Sequence, residues 1–461
     1  MATPEPNRAD HLCVLIHGLW GNPSHLEYLR STLQDTHPAD KLRILVAKSN
    51  ADSYTYDGIA VGGERISHEI EQELAELSST TKITKISMVG YSLGGLVARY
   101  AIGLLYKNGV LDTVQPVNFT TFATPHLGVR TPTAGWKGDF WNSMGSRTLS
   151  TSGQQMFLID DFRETGRPLL AVMADANSAF IKGLEKFKNK SVYANIINDR
   201  SVPFYTSGIS ATDPFVDTEK INLHYDKTSE TDADGKLVLL DSTNPATPKS
   251  EDALVPNWTE SIMQTATNVP FYAMITVLLP IGATFYLLNS GYQTYQSARR
   301  VRLHEEGKTD IKLGRYRIPL FEEATQMRDR VYSQLAESEQ QDYLPTPPPE
   351  PTGYSSTTAT SSNSGDDDVE KDTGPIPSVT AAVAAHHQRK KSKDDRGFPT
   401  LALTDEQFKM IENLDKIGLR KFPVHIRKVR HTHAAIIVRM KRETFSEGKV
   451  VVAHWANRFE A

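Results

Sequence analysis

Between an apolar strand, Ile83-Thr-Lys-Ile-Ser-Met-Val89, and a helix that opens at Leu93 lies the pentapeptide Gly90-Tyr-Ser-Leu-Gly94. A serine in that position sits on a sharp strand-to-helix turn, and small residues two positions to either side let the backbone close around it. Gly95 provides a third place where the start of the helix can press against the strands. Five residues alone recur by chance, and the plain alternative is a glycine-rich turn without chemistry. The strand before and the helix after are what give the match meaning.

The flanking chain repeats the same alternation. His11–Ile16 and Leu42–Val46 read as strands, Ile66, Ile70, Leu74 and Leu77 mark one face of a helix over 64–77, and Val117–Phe122 and Ser191–Ile197 read as further strands. Strand and helix in turn predict an α/β fold with a doubly wound, mainly parallel sheet. The chain has 461 residues, and one large domain with insertions fits that length as well as three smaller ones. With 51 Lys and Arg against 55 Asp and Glu, the net charge of −4 supplies no basic field, so nucleic acid is excluded as a default partner. A single cysteine, Cys13, rules out an internal disulfide and fits a reducing compartment. The first residues lack the apolar stretch of a secretory signal.

A serine hydroxyl is a weak nucleophile until a base takes its proton and donors hold the developing oxyanion. His17-Gly-Leu-Trp-Gly-Asn22 follows the first strand directly, where an α/β-hydrolase places its second oxyanion donor. The amides of Leu19 and Leu93 are therefore assigned to the hole, and His17 to fixing the backbone of this loop. Together His17-Gly-Leu-Trp-Gly, Tyr56-Asp-Gly-Ile59 with Gly63-Glu-Arg65, Gly90-Tyr-Ser-Leu-Gly-Gly-Leu-Val-Ala-Arg99, Thr124-Pro-His-Leu-Gly128 and Asn198-Asp-Arg-Ser-Val-Pro203 resemble the serine esterase family of α/β-hydrolases. Within it they are similar to the fungal members that include a lipid-droplet phospholipase. The resemblance implies hydrolysis of carboxylic esters of lipids, with no cofactor and no metal.

The family order of serine, acid and histidine directs attention to Asp199, in a turn at the end of the strand Ser191–Ile197. An Asx-turn aspartate is the structural alternative. The base is expected in a loop after the last parallel strand. Phe422, Val424 and Ile426 alternate as such a strand, and Arg430-His-Thr-His-Ala434 follows, with a helix predicted over 434–440. His433 is the choice and His431 the runner-up; as metal ligands the pair lacks nearby companions. His25, His37, His68, His304, His386 and His387 read as solvated. His126 resembles a pocket-wall residue of the family, and Trp136 and Trp141, within an aromatic insert over 131–152, read as a lid or acyl-binding element. Arg65 and Arg99 read either as head-group contacts or as partners of nearby carboxylates.

Val269–Leu288 is a charge-free run of 20 residues, ~30 Å if helical. A simple span would put His433 across a bilayer from Ser92, so three readings stand: a hairpin kinked at Pro280 in one leaflet, anchored by Tyr272, Tyr286 and Arg299-Arg300, a lid helix, or a core helix. The proline-, serine- and aspartate-rich tract 343–397 has too little apolar surface to order itself. The expected plan is a hydrolase core over 8–226, a membrane-associating insertion over 251–335, the disordered linker 343–397, and the rest of the core over 399–461. The expected partners are a glycerophospholipid substrate and a lipid monolayer, at a lipid droplet or the cytosolic face of the endoplasmic reticulum. Triacylglycerol is the alternative substrate, and a catalytically silent droplet tether the alternative of another class.

Overall fold

The computed structural model describes residues 9–79, 81–130, 150–249, 288–309, 311, 316–317, 320, 324–330 and 393–461. The aromatic insert with Trp136 and Trp141, the apolar run up to residue 287 and nearly all of the 343–397 tract lie outside them.

Six strands form one parallel sheet: β1 (His11–Ile16), β2 (Leu42–Val46), β3 (Lys85–Tyr91), β4 (Gln115–Phe122), β5 (Asn189–Asn195) and, after a small antiparallel pair β6 (Ile221–Leu223) and β7 (Ala246–Pro248), β8 (Arg420–Val424). Their order is β2-β1-β3-β4-β5-β8. Alternate residues explain why the strands read as continuous apolar runs. Leu12, Val14 and Ile16 enter one core and Cys13 and Leu15 the other, because helices cover both faces of a parallel sheet. The helices α2 (Ile59–Leu77) and α3 (Leu93–Lys107) cover one face, and α1 (Glu27–Thr36) packs with the C-terminal helix Ser446–Arg458 on the other. This is the α/β-hydrolase arrangement. Strand order reverses between β1 and β3, so the loops leaving these two strands diverge and open a crevice at the carboxyl edge.

Two expected helices shift. The first starts at Ile59, five residues early, since Gly58 at φ 103° turns the chain into it. The helix expected over 434–440 ends at Ala435, because the β-branched run Ile436-Ile437-Val438 follows and Val438 adopts φ 52°. The long C-terminal helix lies further on, at 446–458.

The helical stretch 288–305 is bracketed to the core by buried charge. Arg300 donates to both carboxylate oxygens of Asp57, from Nε at 3.2 and 3.0 Å and from Nη2 at 2.8 Å, and to the Ser53 carbonyl. His304, expected in solvent, is fully buried with its Nε2 2.7 Å from Glu64 Oε2. Arg317 Nη2 lies 3.2 Å from the same carboxylate. Burial pushes the Glu64 carboxyl up, but the His304 hydrogen bond and the Arg317 charge prevail and hold it below its ordinary value. Glu64→Ala leaves these partners unmatched in the interior. The expected loss is about 3 kcal/mol in urea unfolding, with faster amide exchange over 288–305; unchanged exchange there would show that the bracket does not hold the segment.

Candidate active site

Ser92 follows β3 directly and takes φ 56° and ψ −129°, a strained backbone that L-residues rarely adopt. Its surroundings force it there. The Ser92 amide donates to the Phe122 carbonyl at 2.9 Å, and the Thr124 hydroxyl donates to the Ser92 carbonyl at 2.9 Å. Glycines let neighbouring backbones close in. A Cβ on Gly94 would stand 2.2 Å from the Ile16 carbonyl oxygen, one on Gly95 2.1 Å from Thr124 Oγ1, and one on Gly18 2.6 Å from Ser92 Cβ.

Asp199 and His433 arrive from the ends of β5 and β8, although 341 positions separate His433 from Ser92. His433 Nε2 lies 2.9 Å from Ser92 Oγ, and His433 Nδ1 lies 2.9 Å from Asp199 Oδ2. With hydrogen on Nδ1, the ring donates to the carboxylate and accepts from the serine. The Asp199 side chain is 2% exposed and that of His433 16%, so the acid is buried while the ring keeps an opening to the crevice. Asp199 Oδ1 accepts from the Ser201 and Val202 amides at 3.1 and 2.8 Å, as an Asx-turn aspartate does, and Oδ2 accepts from Asn195 Nδ2 at 3.0 Å. The turn and the histidine contact are thus two uses of one carboxylate.

Three side chains absent from the sequence reading stitch the loops together. The Tyr91 hydroxyl donates to the His433 carbonyl at 2.9 Å, the two rings stand 5.1 Å apart, and the Thr432 hydroxyl donates to the Ile197 carbonyl at 2.9 Å. Asn195 is the third. Tyr91 occupies a variable place in the pentapeptide and Asn195 lies one turn of sequence before the acid, so neither carries a spacing signal. His431 makes a ring contact with Phe445, 6.4 Å between centroids, and the serine hydrogen bond belongs to His433.

The loop His17–Asn22 lies over the serine. His17 is buried, with Nδ1 3.2 Å from the Gly18 carbonyl, and burial lowers its basicity, which suits the backbone role expected of it. The Trp20 amide donates to Thr55 Oγ1 at 3.1 Å and its indole to the Tyr56 hydroxyl at 2.7 Å, fixing the loop from outside. Among the described residues the amides of Leu19 and Leu93 donate to no acceptor. Leu93 opens α3, where helix amides favour negative charge.

His126 is a correction. Its ring is 1% exposed, with Nε2 2.9 Å from Thr121 Oγ1 and Nδ1 3.5 Å from Arg99, so it is an interior brace with no pocket face. Burial, then the Arg99 charge, holds it neutral. Arg99 is itself fully buried, donates to the Met173 carbonyl at 3.0 Å, and is pulled down to about 10 by burial; Arg65 pairs with Asp57 at 2.7 Å. Neither reaches a head group. Among the described residues no cluster of three or more His, Cys, Asp or Glu is arranged to hold a metal.

Residues 6–212 match the family model described as "Putative serine esterase (DUF676)". The chain is 32% identical over 253 residues to "Putative lipase ROG1" of Saccharomyces cerevisiae, covering 54% of this chain and 34% of that protein. It is 28% identical over 214 residues to "Putative lipase C4A8.10" of Schizosaccharomyces pombe, covering 45% and 27%. The chain therefore spans about a third of the length of such curated relatives. Among solved structures it is similar to an α/β-hydrolase fold protein from Nakamurella multipartita, at 13% identity and a TM-score of 0.23, over 44% of this chain and 80% of that one. A cutinase-like protein from Cryptococcus sp. matches at 18% identity and a TM-score of 0.21, over 28% and 61%. The match to the family described as putative serine esterase thus covers residues 6–212, the stretch that carries Ser92 and Asp199.

Proposed function

We propose that this protein is a serine lipase that hydrolyses acyl esters of glycerophospholipids at a lipid droplet or at the cytosolic face of the endoplasmic reticulum. The observation that carries the hydrolytic part is the unbroken line from Ser92 through His433 to Asp199 at the crevice. Ser92 Oγ attacks the ester carbonyl carbon as its proton passes to His433 Nε2. The carbonyl oxygen takes the negative charge between the Leu19 and Leu93 amides. His433 then gives its proton to the departing alcohol oxygen, leaving an acyl-Ser92. A water, deprotonated by His433, attacks the acyl carbon, and collapse of the second tetrahedral intermediate returns the proton to Ser92 as the fatty acid leaves. Asp199 steadies the imidazolium in both halves.

The lipid surface is argued from the helical stretch 288–305. Leu288, Tyr292 and Tyr295, at i, i+4 and i+7, are all exposed, and Arg299 and Arg302 continue that face in solvent. Apolar, then phenolic, then basic is the sequence of environments along a helix leaving a membrane interface. The stripe directly continues the charge-free run that precedes it. Arg300, expected to help anchor this run, is instead committed to Asp57. No helix among the described residues is long and apolar enough to cross a membrane.

Ser92→Ala and His433→Ala are expected to lower fatty acid release from phospholipid vesicles by a factor on the order of 10⁴. A fluorophosphonate probe should label wild type and leave Ser92→Ala unlabelled. Faster release from triacylglycerol than from phospholipid would transfer the activity to neutral esters, and an unlabelled wild type would make the chain a silent tether. Deleting residues 269–290 should leave a protein that cleaves a water-soluble ester normally but no longer floats with liposomes; flotation by the deleted form would place the contact elsewhere.

A further inference from the structure

A second cavity lies behind the acid. It measures about 330 Å³, and its walls include Asn195, Asp199, Phe204, Asp213, Phe215 and Val216; neither Ser92 nor His433 lines it. Its chemistry is lopsided. Asn195 is 1% exposed, and while its Nδ2 donates to Asp199, its Oδ1 has no hydrogen-bond partner. A buried amide oxygen without a donor is costly unless something arrives to fill it. Asp213 uses Oδ1 to cap the turn Pro214–Val216 through the Phe215 amide, and among the described residues it makes no ion pair. Burial pushes its carboxyl up to about 6, and it has no cation of its own among the described residues.

The remaining walls mix polar Asn198 and Thr218 with aromatic and aliphatic side chains. Phe204 and Phe215 meet edge to face with centroids 4.6 Å apart, and Val216 stands exposed beside them. A carboxylate, an unfilled carbonyl oxygen and aromatic rings together form a receptor for an alkylated ammonium. The acid supplies charge, the rings accept a cation whose methyl or methylene shell is apolar, and the amide oxygen accepts an N–H where one is present. A bare metal ion is less well served, since among the described residues no group of three or more His, Cys, Asp or Glu is placed to hold one.

We propose that this cavity binds the alkylammonium end of a lipid head group while the acyl ester lies at Ser92. The inference rests on the hydrolase reading above, and it narrows the substrate to phospholipids with a choline or ethanolamine head. The Asn195–Asp199 hydrogen bond joins the two places: one wall of the head-group cavity is the carboxylate that orients His433. A correctly seated head group would satisfy Asn195 Oδ1 and steady the acid as it does so.

The test uses the full-length protein with phosphatidylcholine, phosphatidylethanolamine and phosphatidylglycerol in mixed micelles, and a short uncharged ester as control. Wild type should favour the two ammonium lipids in kcat/KM by roughly tenfold. Asp213→Asn keeps the turn-capping oxygen and should erase that preference through KM, with hydrolysis of the uncharged ester unchanged. Phe204→Leu, which keeps bulk and removes the ring, should erode it in the same direction. Equal kcat/KM for all three lipids in wild type, or a preference that survives Asp213→Asn, overturns the proposal while leaving the hydrolase reading intact. Should wild type hydrolyse no ester, binding decides instead. Ser92→Ala protein should bind glycerophosphocholine in calorimetry and lose that binding on addition of Asp213→Asn. Equal binding of glycerophosphoglycerol refutes the cavity's assignment. Binding of free choline as tight as that of glycerophosphocholine would make it a site for a soluble cation and refute the head-group role.

Discussion

A Cβ on Gly90 would lie 2.3 Å from the Cα of Gly95, and one on Gly94 would lie 2.5 Å from the carbonyl oxygen of His17. Three backbones, those of β3, the start of α3 and the loop after β1, therefore meet at distances that side chains forbid. That contact holds Ser92 at its unusual torsion angles and packs Gly18, the residue before Leu19, directly against it. The reversal of strand order supplies the opening, and the missing side chains allow it to be closely walled. Strain at one residue persists because the packing around it leaves no relaxed alternative.

The histidine is held by a different device. Its loop is tied to the elbow strand through the Tyr91 hydroxyl and to the acid loop through Thr432. Each bond fixes a backbone carbonyl, so the ring is positioned by its frame as well as by its two polar partners. Asp199 in turn is fastened by two amides and one carboxamide. A carboxylate fastened at both oxygens loses little motion when a substrate enters, which is what preorganised acid–base chemistry needs.

Much of this was legible in the sequence, and the reasons are physical. A strand buried on both faces cannot alternate with polar residues, so β1 stands out as an apolar run from Leu12 to Ile16. The turn at Ser92 demands glycines at fixed offsets, which makes it visible without a structure. His304 shows where such reasoning stops. Its neighbours are charged, which reads as solvent, yet His304 itself turns inward to Glu64, 240 positions away, and the ion-paired interior cannot be read from local composition. His126 failed for a similar reason, because a loop position says nothing about whether the ring turns out to a pocket or in toward Thr121. Val438 shows the limit of periodicity: hydrophobic spacing continued past Ala435 while β-branched crowding stopped the helix.

The sheet is closed by a strand contributed by the last part of the chain. β8 pairs with β5 through Asn195 and Val424, although 228 residues of sequence intervene. A ribosome therefore releases the hydroxyl and the carboxylate well before the imidazole that links them. The line from Ser92 through His433 to Asp199 is complete only once β8 has docked against β5.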